Sequence, residues 1–492
     1  KYIARGSYLL RQGNHVADLL VFVGDGAPNS VYKRNDLNLP IPEGINFDNT
    51  NADVLMNRLE VKNGKMMLPE GTEYKMLVLQ NCERLSLKSL KRIHQIMQAG
   101  IPIVGKKPQI LTDYGSSDSE KQTFKIISDE IWSAPHTYTE LNWPKIFEKE
   151  KIKPDLHITG KKDYEFMHRE VNGTDIYYFF NSDTIAAQYE CTFRVSNKIP
   201  ELWDAMSGNT KKLASFVEKD GVTKVWINLE QQESAFVVFR ESSKGVESVI
   251  NNTKPFSLDY RLDNNNNIIL TSSDNGIIQT ILKGGKKASD SIETIPEPLD
   301  ISRNWKVEFQ DEEDDEAAHA FNELTDWKDN PVDEIKYYSG TASYSKKFIV
   351  NNAFLQDNNR YFLDLGQVFI VAEVWLNGKN VGIDWLAPFT LEITDYLKKG
   401  FNELTIEITN QWSNRLIGDE QFPKQDNGYQ RTGNPPASDS RMPQWYVNNK
   451  PMPEGPRTTF CTGQFYQKDD NLMPSGLIGP VKVFARKEIK IN

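Results

Sequence analysis

The period of the hydrophobic pattern changes once along this chain, near residue 153, and that change limits the folds open to it. Before this point, continuous apolar runs occur at residues 17–25 (ADLLVFVGD), 76–80 (MLVLQ) and 101–105 (IPIVG), and a segment with helical spacing lies between the last two. Such runs predict buried parallel strands joined by helices. After it, short β-branched and aromatic runs alternate with Gly, Asn and Asp turns, which predicts antiparallel sheets.

Within the first region, residues 85–100 (LSLKSLKRIHQIMQAG) have the pattern of an amphipathic helix that ends at Gly100. A strand-like run, IPIVG, follows at once, so we expect a strand–helix–strand crossover. A second helix is expected from Glu120 to about Ile131. The pair Asn63-Gly64 favours a type I′ turn and predicts a small hairpin. The buried face of the first helix is expected to consist of Leu87, Leu90, Ile93 and Met97.

The pattern divides the 492 residues into four segments. A charged, proline-broken stretch at residues 149–155 marks the first boundary, and IPEPLD at residues 295–300 marks the last. We predict a multidomain chain of α/β plus all-β class. Its segments are an α/β domain (1–153), a β-sandwich (154–250), a β-rich bridge (251–300) and a jelly roll (301–492). Within the jelly roll, the pair Asn377-Gly378 predicts a hairpin turn.

Charge and hydropathy exclude several partners. The net charge is −10, and no basic stripe interleaves with aromatic residues, so neither a nucleic acid nor an anionic membrane surface is expected. No apolar run approaches the roughly 20 residues that span a bilayer, so we expect no membrane insertion. The start of the chain has neither a signal-like apolar run nor an initiating Met, which suggests an excised or processed piece.

Cysteine, histidine and acidic residues give weak indications of a metal. The three cysteines are far apart and the six histidines form no i,i+4 pair, so a zinc or iron site is not expected. The acidic run at residues 311–316 (DEEDDE) offers carboxylates, but it lacks the alternating layout of a calcium loop. We therefore expect no cofactor. The acidic run is expected to be a solvated loop, and calcium binding by it is the alternative.

Six stretches resemble, in order, a known family. They are residues 4–29, 51–81, 200–213, 374–382 (VWLNGKNVG), 410–423 (NQWSNRLIGDEQFP) and 474–481 (PSGLIGPV). Together they resemble the C-terminal part of glycoside hydrolase family 106, the α-L-rhamnosidases. The last segment is also similar to the galactose-binding-like, sugar-binding domain of family 2 glycosidases.

The resemblance implies hydrolysis of terminal α-L-rhamnosyl linkages with inversion, by a carboxylic acid and a carboxylate base. In that family these groups belong to an N-terminal (β/α)8 barrel. We therefore expect an accessory region with no catalytic residue of its own, whose partners are that barrel and a rhamnose-containing glycan. The resemblance also implies a periplasmic or secreted enzyme of a glycan-degrading bacterium. A carbohydrate-binding module and a purely structural scaffold are the alternatives.

The first segment resembles an amidotransferase-like (flavodoxin-like) domain. Such domains carry a nucleophile directly after a buried strand, and Cys82 occupies that position after the run MLVLQN. Cys82 is flanked by Asn81 and Glu83, and a strained catalytic turn requires small residues at these places. The nearby carboxylate of Glu83 also disfavours a thiolate. We expect a non-catalytic domain. Asp25, at the carboxyl end of the first strand, is expected to contact a neighbouring domain, with a sugar pocket as the alternative.

Residues 408–423 (ITNQWSNRLIGDEQFP) open a long predicted loop. Asp419 and Glu420 are adjacent, so on an extended chain they would point to opposite faces, which does not suit a catalytic pair. Arg415 and Asp419 are expected to form an ion pair, and Asn414 to bond its own backbone in a turn. A structural clamp or interdomain contact is therefore the first interpretation of this loop.

Carbohydrate contact is the second interpretation of the same loop. In that case Trp385 and Trp412 would stack on a pyranose face, and Asn414, Arg415 and Asp419 would bind its hydroxyl groups. Trp375, on the strand VWLNG, is expected to belong to the sheet core.

Overall fold

The computed structural model describes residues 1–26, 30–62, 64–161, 164–251, 258–310, 318–422, 444–459 and 465–491. The chain forms two compact units. Unit 1 comprises Lys1–Leu270, Ile278–Asp290 and Lys490–Asn492, and unit 2 comprises Thr271–Ile277 and Ser291–Ile489. Unit 1 therefore contains the predicted segments 1–153 and 154–250 together, and unit 2 contains most of segment 301–492.

A five-stranded parallel sheet forms the first layer of unit 1. Its central strands are fully buried, as the continuous apolar runs predict. In spatial order the strands are Thr137–Tyr138, Ile103–Val104, Met76–Leu79, Leu19–Phe22 and Phe47–Thr50.

Capped helices flank this sheet. Ser86 Oγ accepts a hydrogen bond from Ser89 N at the start of Leu87–Gln98, and Ser117 and Glu120 form a capping box. The predicted buried face of Leu87–Gln98 is confirmed, except that Ile96 is fully buried where Met97 is only partly so. The helices of unit 1 are Tyr2–Leu10, Ala52–Asn57, Leu87–Gln98, Asp118–Ser133 and Trp143–Glu150, with 3-10 turns at Arg34–Asp36 and Lys283–Gly285.

Two antiparallel sheets of unit 1 enclose an aromatic core that includes Tyr177, Phe193 and Phe239. Alternate residues of Val222–Leu229 are buried, which is the predicted period of two. The first sheet consists, in order, of Asn14–His15, Phe166–Val171, Thr174–Phe180, Ser234–Ser242, Lys198–Trp203 and Thr210–Lys212. The second consists of Leu156–Ile158, Ala187–Phe193, Val222–Leu229 and Phe216–Lys219.

Short strands complete unit 1 and lead out of it. The predicted hairpin is present next to Gly64, with a third strand added, and Asn63 lies outside the described residues. Its strands are Glu60–Lys62, Lys65–Met67 and Glu73–Tyr74; the others are Arg84–Leu85, Ile110–Leu111, Val249–Asn251 and Leu258–Leu262. The chain passes between the units within Ile268–Ser272, Gly276–Leu282 and Lys287–Ile292.

Two sheets of unit 2 face one hydrophobic core. Asn377 and Gly378 both have positive φ, which confirms the predicted hairpin turn. The larger sheet consists, in order, of Ala318–Phe321, Trp305–Phe309, Thr341–Val350, Gly400–Thr409, Val371–Leu376 and Lys379–Asp384. In the other sheet, Lys482–Lys490 pairs with both Leu299–Asp300 and Asn359–Asp364, and Asn359–Asp364 pairs in turn with Thr390–Glu392. A separate two-stranded sheet pairs Gln367–Phe369 with Gly476–Gly479.

Short helices lie in the connections of unit 2, namely Trp327–Asp329, Asp333–Lys336, Ser413–Asp419 and Gln444–Val447. Trp327 is completely buried, and its Nε1 donates a hydrogen bond to Tyr344 Oη at 2.6 Å. Across the described parts of both units, none of the helices has the length and apolar character that crossing a lipid bilayer requires.

Candidate functional site

The loop that carries most of the sequence-predicted site residues begins with a helix, Ser413–Asp419, not with an extended chain. Asp419 is 2% exposed and accepts hydrogen bonds from Thr458 N (3.2 Å), Thr459 N (2.8 Å) and Thr459 Oγ1. Arg415 Nη2 lies 3.0 Å from Asp419 Oδ1, which confirms the predicted ion pair. The Asp419 carboxylate therefore holds the 458–459 segment against the helix.

Asn414 has a second clamping role in the same helix. It is 1% exposed, and its Nδ2 donates to Met473 O at 2.7 Å and to Ser475 Oγ at 3.1 Å. Its Oδ1 accepts from Met473 N at 2.8 Å. The prediction that Asn414 bonds its own backbone in a local turn is therefore wrong, because its side chain bonds to the backbone of Met473, 59 positions away in the sequence. Sugar contact by Asn414 stays a prediction, as it does for Arg415 and Asp419.

The two tryptophans predicted to stack on sugar lie at the surface. Trp412 is 65% exposed and precedes the helix Ser413–Asp419, and Trp385 is 42% exposed and follows the strand Lys379–Asp384. Both residues are exposed to solvent, which stacking on a sugar requires. Carbohydrate binding by Trp385 and Trp412 stays a prediction that the geometry permits.

The outer face of the larger sheet of unit 2 carries polar and aromatic residues that sequence reasoning missed. In register, Glu373 lies opposite Glu407, and on the same face Trp375 lies opposite Thr405. All four side chains are partly exposed, so the assignment of Trp375 to the core is wrong. The alternation in VAEVWLNG contained the signal, because Glu373 and Trp375 are two residues apart and must share a face.

The Glu373 and Glu407 carboxylates repel each other across the two strands. The pKa of Glu407 is raised, mainly by burial and to a smaller extent by the negative charge of Glu373. Asn380 Nδ2 donates to Glu373 Oε1 at 2.7 Å. Carboxylates, an amide and an indole on one sheet face are groups that bind the hydroxyl groups and the apolar face of a neutral sugar.

Cys82, at the carboxyl edge of the parallel sheet, is not a reactive thiol. Cys82 is 3% exposed, and burial, assisted by the Asp25 carboxylate, raises the pKa of its thiol far above the ordinary range. Asp25 itself accepts hydrogen bonds from Ser86 N (2.7 Å) and Ser89 Oγ (2.6 Å). Asp25 therefore stabilises the start of the helix Leu87–Gln98.

A buried ionic cluster occupies the sandwich of unit 1. His168 Nδ1 lies 2.8 Å from Asp155 Oδ2, and His168 Nε2 lies 3.1 Å from Asp175 Oδ1. Tyr177 Oη donates to Asp155 Oδ1 at 2.9 Å, and Lys198 Nζ lies 2.6 Å from Asp175 Oδ2. The His168 side chain is only 4% exposed, so this acid–base group is closed to a substrate and has a structural role.

The ionic cluster extends to the parallel sheet of the same unit. Arg194 Nη2 lies 3.4 Å from Asp155 Oδ1, while its Nη1 lies 2.7 Å from Asp18 Oδ2. Asp18 Oδ1 in turn lies 2.7 Å from Lys75 Nζ. Arg194 therefore links the carboxylate of Asp155 in the sandwich to that of Asp18 beside the parallel strands.

The cluster predicts a bell-shaped dependence of the stability of unit 1 on pH. Burial opposes protonation of His168, but the hydrogen bonds that His168 donates to Asp155 and Asp175, together with the charges of these carboxylates, outweigh burial, so its folded-state pKa lies above the ordinary 6.5. This contribution is complete below about pH 6.5 and is lost as the pH rises through the folded pKa. Burial raises the pKa values of the Asp155 and Asp175 carboxyls, but His168, together with Arg194 and Tyr177 at Asp155 and with Lys198 at Asp175, lowers both below the ordinary 3.8. Their contribution to stability is therefore lost as the pH falls through the folded-state values.

Urea unfolding of unit 1 at a series of pH values tests this expectation, with His168→Gln as the comparison variant. The wild-type protein should lose stability on the alkaline side at ~1.4 kcal/mol per unit of pKa difference, and the variant should not. Parallel alkaline limbs in both proteins would contradict the assignment.

Comparison with known proteins finds similarity to glycoside hydrolases. Residues 1–217 match the model of a family described as alpha-L-rhamnosidase. The structure is similar to that of a rhamnosidase from Novosphingobium sp. PP1Y, with a TM-score of 0.75 and 25% identity, over 99% of this chain and 40% of that one.

Sequence relatives are also glycosidases by their descriptions. A Formosa agariphila protein described as "Putative beta-glucuronidase" is 27% identical over 98% of this chain and 56% of its own length. A beta-galactosidase of Clostridium acetobutylicum is 34% identical over 18% of this chain and 10% of its own length. The chain thus spans about half the length of the first of these relatives and is similar to glycoside hydrolases almost throughout.

These findings correct the expected role of the chain. The interpretation as an accessory region, partnered by a separate N-terminal catalytic barrel, is wrong, because the rhamnosidase family model matches residues 1–217 of this chain itself. The similarity to a rhamnosidase and to a glycosidase extends over 99% and 98% of the chain. The mainly β, multidomain fold that the sequence predicts agrees with that similarity.

Proposed function

We propose that this protein is a glycoside hydrolase of the α-L-rhamnosidase type, which hydrolyses terminal α-L-rhamnosyl linkages in a glycan. The observation that carries the proposal is the match of residues 1–217 to the rhamnosidase family model, supported by structural similarity to a rhamnosidase over 99% of the chain. The reaction would proceed with inversion, through a carboxylic acid and a carboxylate base placed to admit a water molecule.

The finer fold assignments belong to the same proposal. The parallel sheet and helices of unit 1 would be an amidotransferase-like (flavodoxin-like) domain without a reactive thiol, which the burial of Cys82 supports. The two sheets of unit 2 would be a galactose-binding-like jelly roll. The enzyme would act in the periplasm or outside the cell of a glycan-degrading bacterium.

A β-glucuronidase is the second candidate, since the Formosa agariphila relative bears that description. The two sugars differ in charge, because glucuronate carries a carboxylate and rhamnose is neutral with an apolar methyl group. The outer face of unit 2 presents Glu373 and Glu407 beside Trp375, and the chain has a net charge of −10. Like charge disfavours a uronate at such a face, which supports the neutral sugar.

Hydrolysis of aryl glycosides by the protein separates these candidates. The 4-nitrophenyl derivatives of α-L-rhamnose, β-D-glucuronate and β-D-galactose share one leaving group, so their rates compare recognition of the sugar alone. We expect kcat/KM for the rhamnoside to exceed the others by at least roughly 100-fold. Faster release from the glucuronide, or release from none of the three, would contradict the proposal.

A further inference from the structure

Two Asn-Gly pairs of this chain form the same kind of hairpin turn. Asn172-Gly173 connects two strands of the first antiparallel sheet of unit 1, and Asn377-Gly378 connects two strands of the larger sheet of unit 2. The φ angles are 50° and 76° in the first pair and 54° and 75° in the second. Positive φ at both central residues is typical of a type I′ turn. These backbone angles therefore do not distinguish the two pairs.

The two asparagine side chains differ in their contacts. Asn377 Nδ2 donates to Tyr396 O and to Asn402 Oδ1, each at 2.9 Å, and Asn377 Oδ1 accepts from Glu403 N at 3.1 Å. The described parts of the chain supply no hydrogen-bond partner for the side-chain amide of Asn172, which is exposed. The Asn172 side chain is therefore free to rotate, whereas rotation of Asn377 would break three hydrogen bonds.

An asparagine that precedes glycine can lose its amide group without an enzyme. The backbone nitrogen of the glycine attacks the side-chain carbonyl carbon, so that a carbon–nitrogen bond forms and ammonia leaves a five-membered succinimide ring. Water then opens the ring at either carbonyl, which gives aspartate or isoaspartate. Glycine has no Cβ to shield its nitrogen, but the asparagine side chain must rotate onto that nitrogen. Rotation of the side chain therefore limits this reaction in a folded protein.

The Asn172-Gly173 turn also holds a base next to the attacking atom. Gly173 N donates to Glu170 Oε1 at 2.7 Å, so a carboxylate already accepts the proton that the nitrogen must lose. A Cβ built on Gly173 would meet nothing within 4 Å, so the space around the turn is open. The turn thus combines a mobile amide, an accessible nitrogen and an acceptor for its proton.

We propose that Asn172 is a site of spontaneous deamidation and that its contacts protect Asn377 from the same reaction. The product carries a new carboxylate at the tip of the hairpin. Gly173 O accepts a hydrogen bond from Lys198 Nζ at 2.5 Å, and this Nζ also lies 2.6 Å from Asp175 Oδ2 of the buried ionic cluster. Isoaspartate would lengthen the backbone by one methylene group in a turn that fixes the register of its strands. The modification therefore acts at the edge of the ionic cluster.

Incubation of the folded protein in a mildly alkaline buffer, followed by peptide mapping with fragment-ion mass spectrometry, measures the rate at each asparagine. Asn377 in the same molecules is the internal control, because the Asn-Gly pair and the φ angles are matched and the side-chain contacts differ. We expect Asn172 to deamidate at least about tenfold faster than Asn377, since three hydrogen bonds must break before Asn377 reacts. Equal rates in the folded protein would overturn the proposal.

Unfolding separates the effect of structure from that of sequence. In guanidinium chloride both pairs lose their contacts, so the difference between their rates should disappear. A difference that persists there would assign the effect to sequence and overturn the proposal. So would an Asn172 that reacts in guanidinium chloride but stays unmodified in the folded protein, because the turn would then protect it.

Glu170→Gln tests the base. Gln keeps an acceptor oxygen for Gly173 N but is a much weaker base, so deamidation of Asn172 should slow by about tenfold or more while that of Asn377 stays the same. Circular dichroism will show that the variant remains folded. An unchanged rate at Asn172 would overturn the role of Glu170, as would equal slowing at both asparagines.

Discussion

Replacement of Asp155 by Asn is expected to lower the free energy of unfolding of unit 1 by about 3–5 kcal/mol. The side chain is 2% exposed and serves three partners, namely His168 at 2.8 Å, Tyr177 at 2.9 Å and Arg194 at 3.4 Å. Asn has nearly the same shape but no charge, so two buried cations would lose part of their compensation. Urea unfolding at pH 6, where His168 is protonated, measures the loss.

Asp118→Asn is the matched control for this experiment. Asp118 pairs with Lys121 at 3.2 Å, but its side chain is completely exposed, so the pair is screened by water. Its replacement should change stability by no more than roughly 0.5 kcal/mol. An Asp155→Asn protein within 1 kcal/mol of wild type would show that the cluster does not hold unit 1 together.

A double-mutant cycle with His168→Gln isolates the pair itself. If Asp155 acts mainly through His168, the double variant should be less destabilised than the sum of the single variants by roughly 0.5–3 kcal/mol. Additive losses would assign the effect of Asp155 to Tyr177 and Arg194 instead. Either result leaves the expected total loss for Asp155→Asn unchanged.

Local patterns were sufficient to predict the elements that local physics determines. The strands Leu19–Phe22 and Met76–Leu79 follow from continuous apolar runs, and the helix Leu87–Gln98 follows from its spacing and from the stop at Gly100. The Asn377-Gly378 turn follows from the freedom of these residues to adopt positive φ. In each case the information lies within a few adjacent residues.

The buried cluster could not be predicted, because it depends on tertiary register. Arg194 meets Asp18 across 176 positions of sequence, and no local spacing encodes that approach. The short helix Ser413–Asp419 was missed for a related reason. It lacks a side-chain cap, and seven residues are too few for a stable isolated helix, so its form depends on contacts to distant segments.

Trp375 shows a different kind of failure, because the sequence did contain the answer. Ala372, Val374 and Leu376 are the buried residues of their strand, and the intervening Glu373 and Trp375 lie on the polar face. An aromatic residue was assigned to the core by its type alone, although the period of two assigned it to the face of a glutamate. Periodicity is the stronger guide at such positions.

Asp419→Ala is expected to destabilise unit 2 by about 3 kcal/mol. The carboxylate accepts from the backbone of Thr458 and Thr459, and its removal also leaves Arg415, which is 20% exposed, without its partner. The amide protons of Thr458 and Thr459 lose their acceptor, so hydrogen exchange of a peptide that covers residues 455–459 should accelerate more than that of the sheet strands.

The same variant distinguishes a clamp from a sugar contact. Asp329→Ala removes an exposed carboxylate that pairs with Lys328 at 2.8 Å, and it should change neither stability nor exchange. A clamp predicts that Asp419→Ala loses stability in the absence of any ligand. If Asp419 instead binds a glycan, the variant would keep the stability and exchange of wild type and lose only affinity for the rhamnoside. That outcome would require its hydrogen bonds to Thr458 and Thr459 to be dispensable, which its 2% exposure argues against.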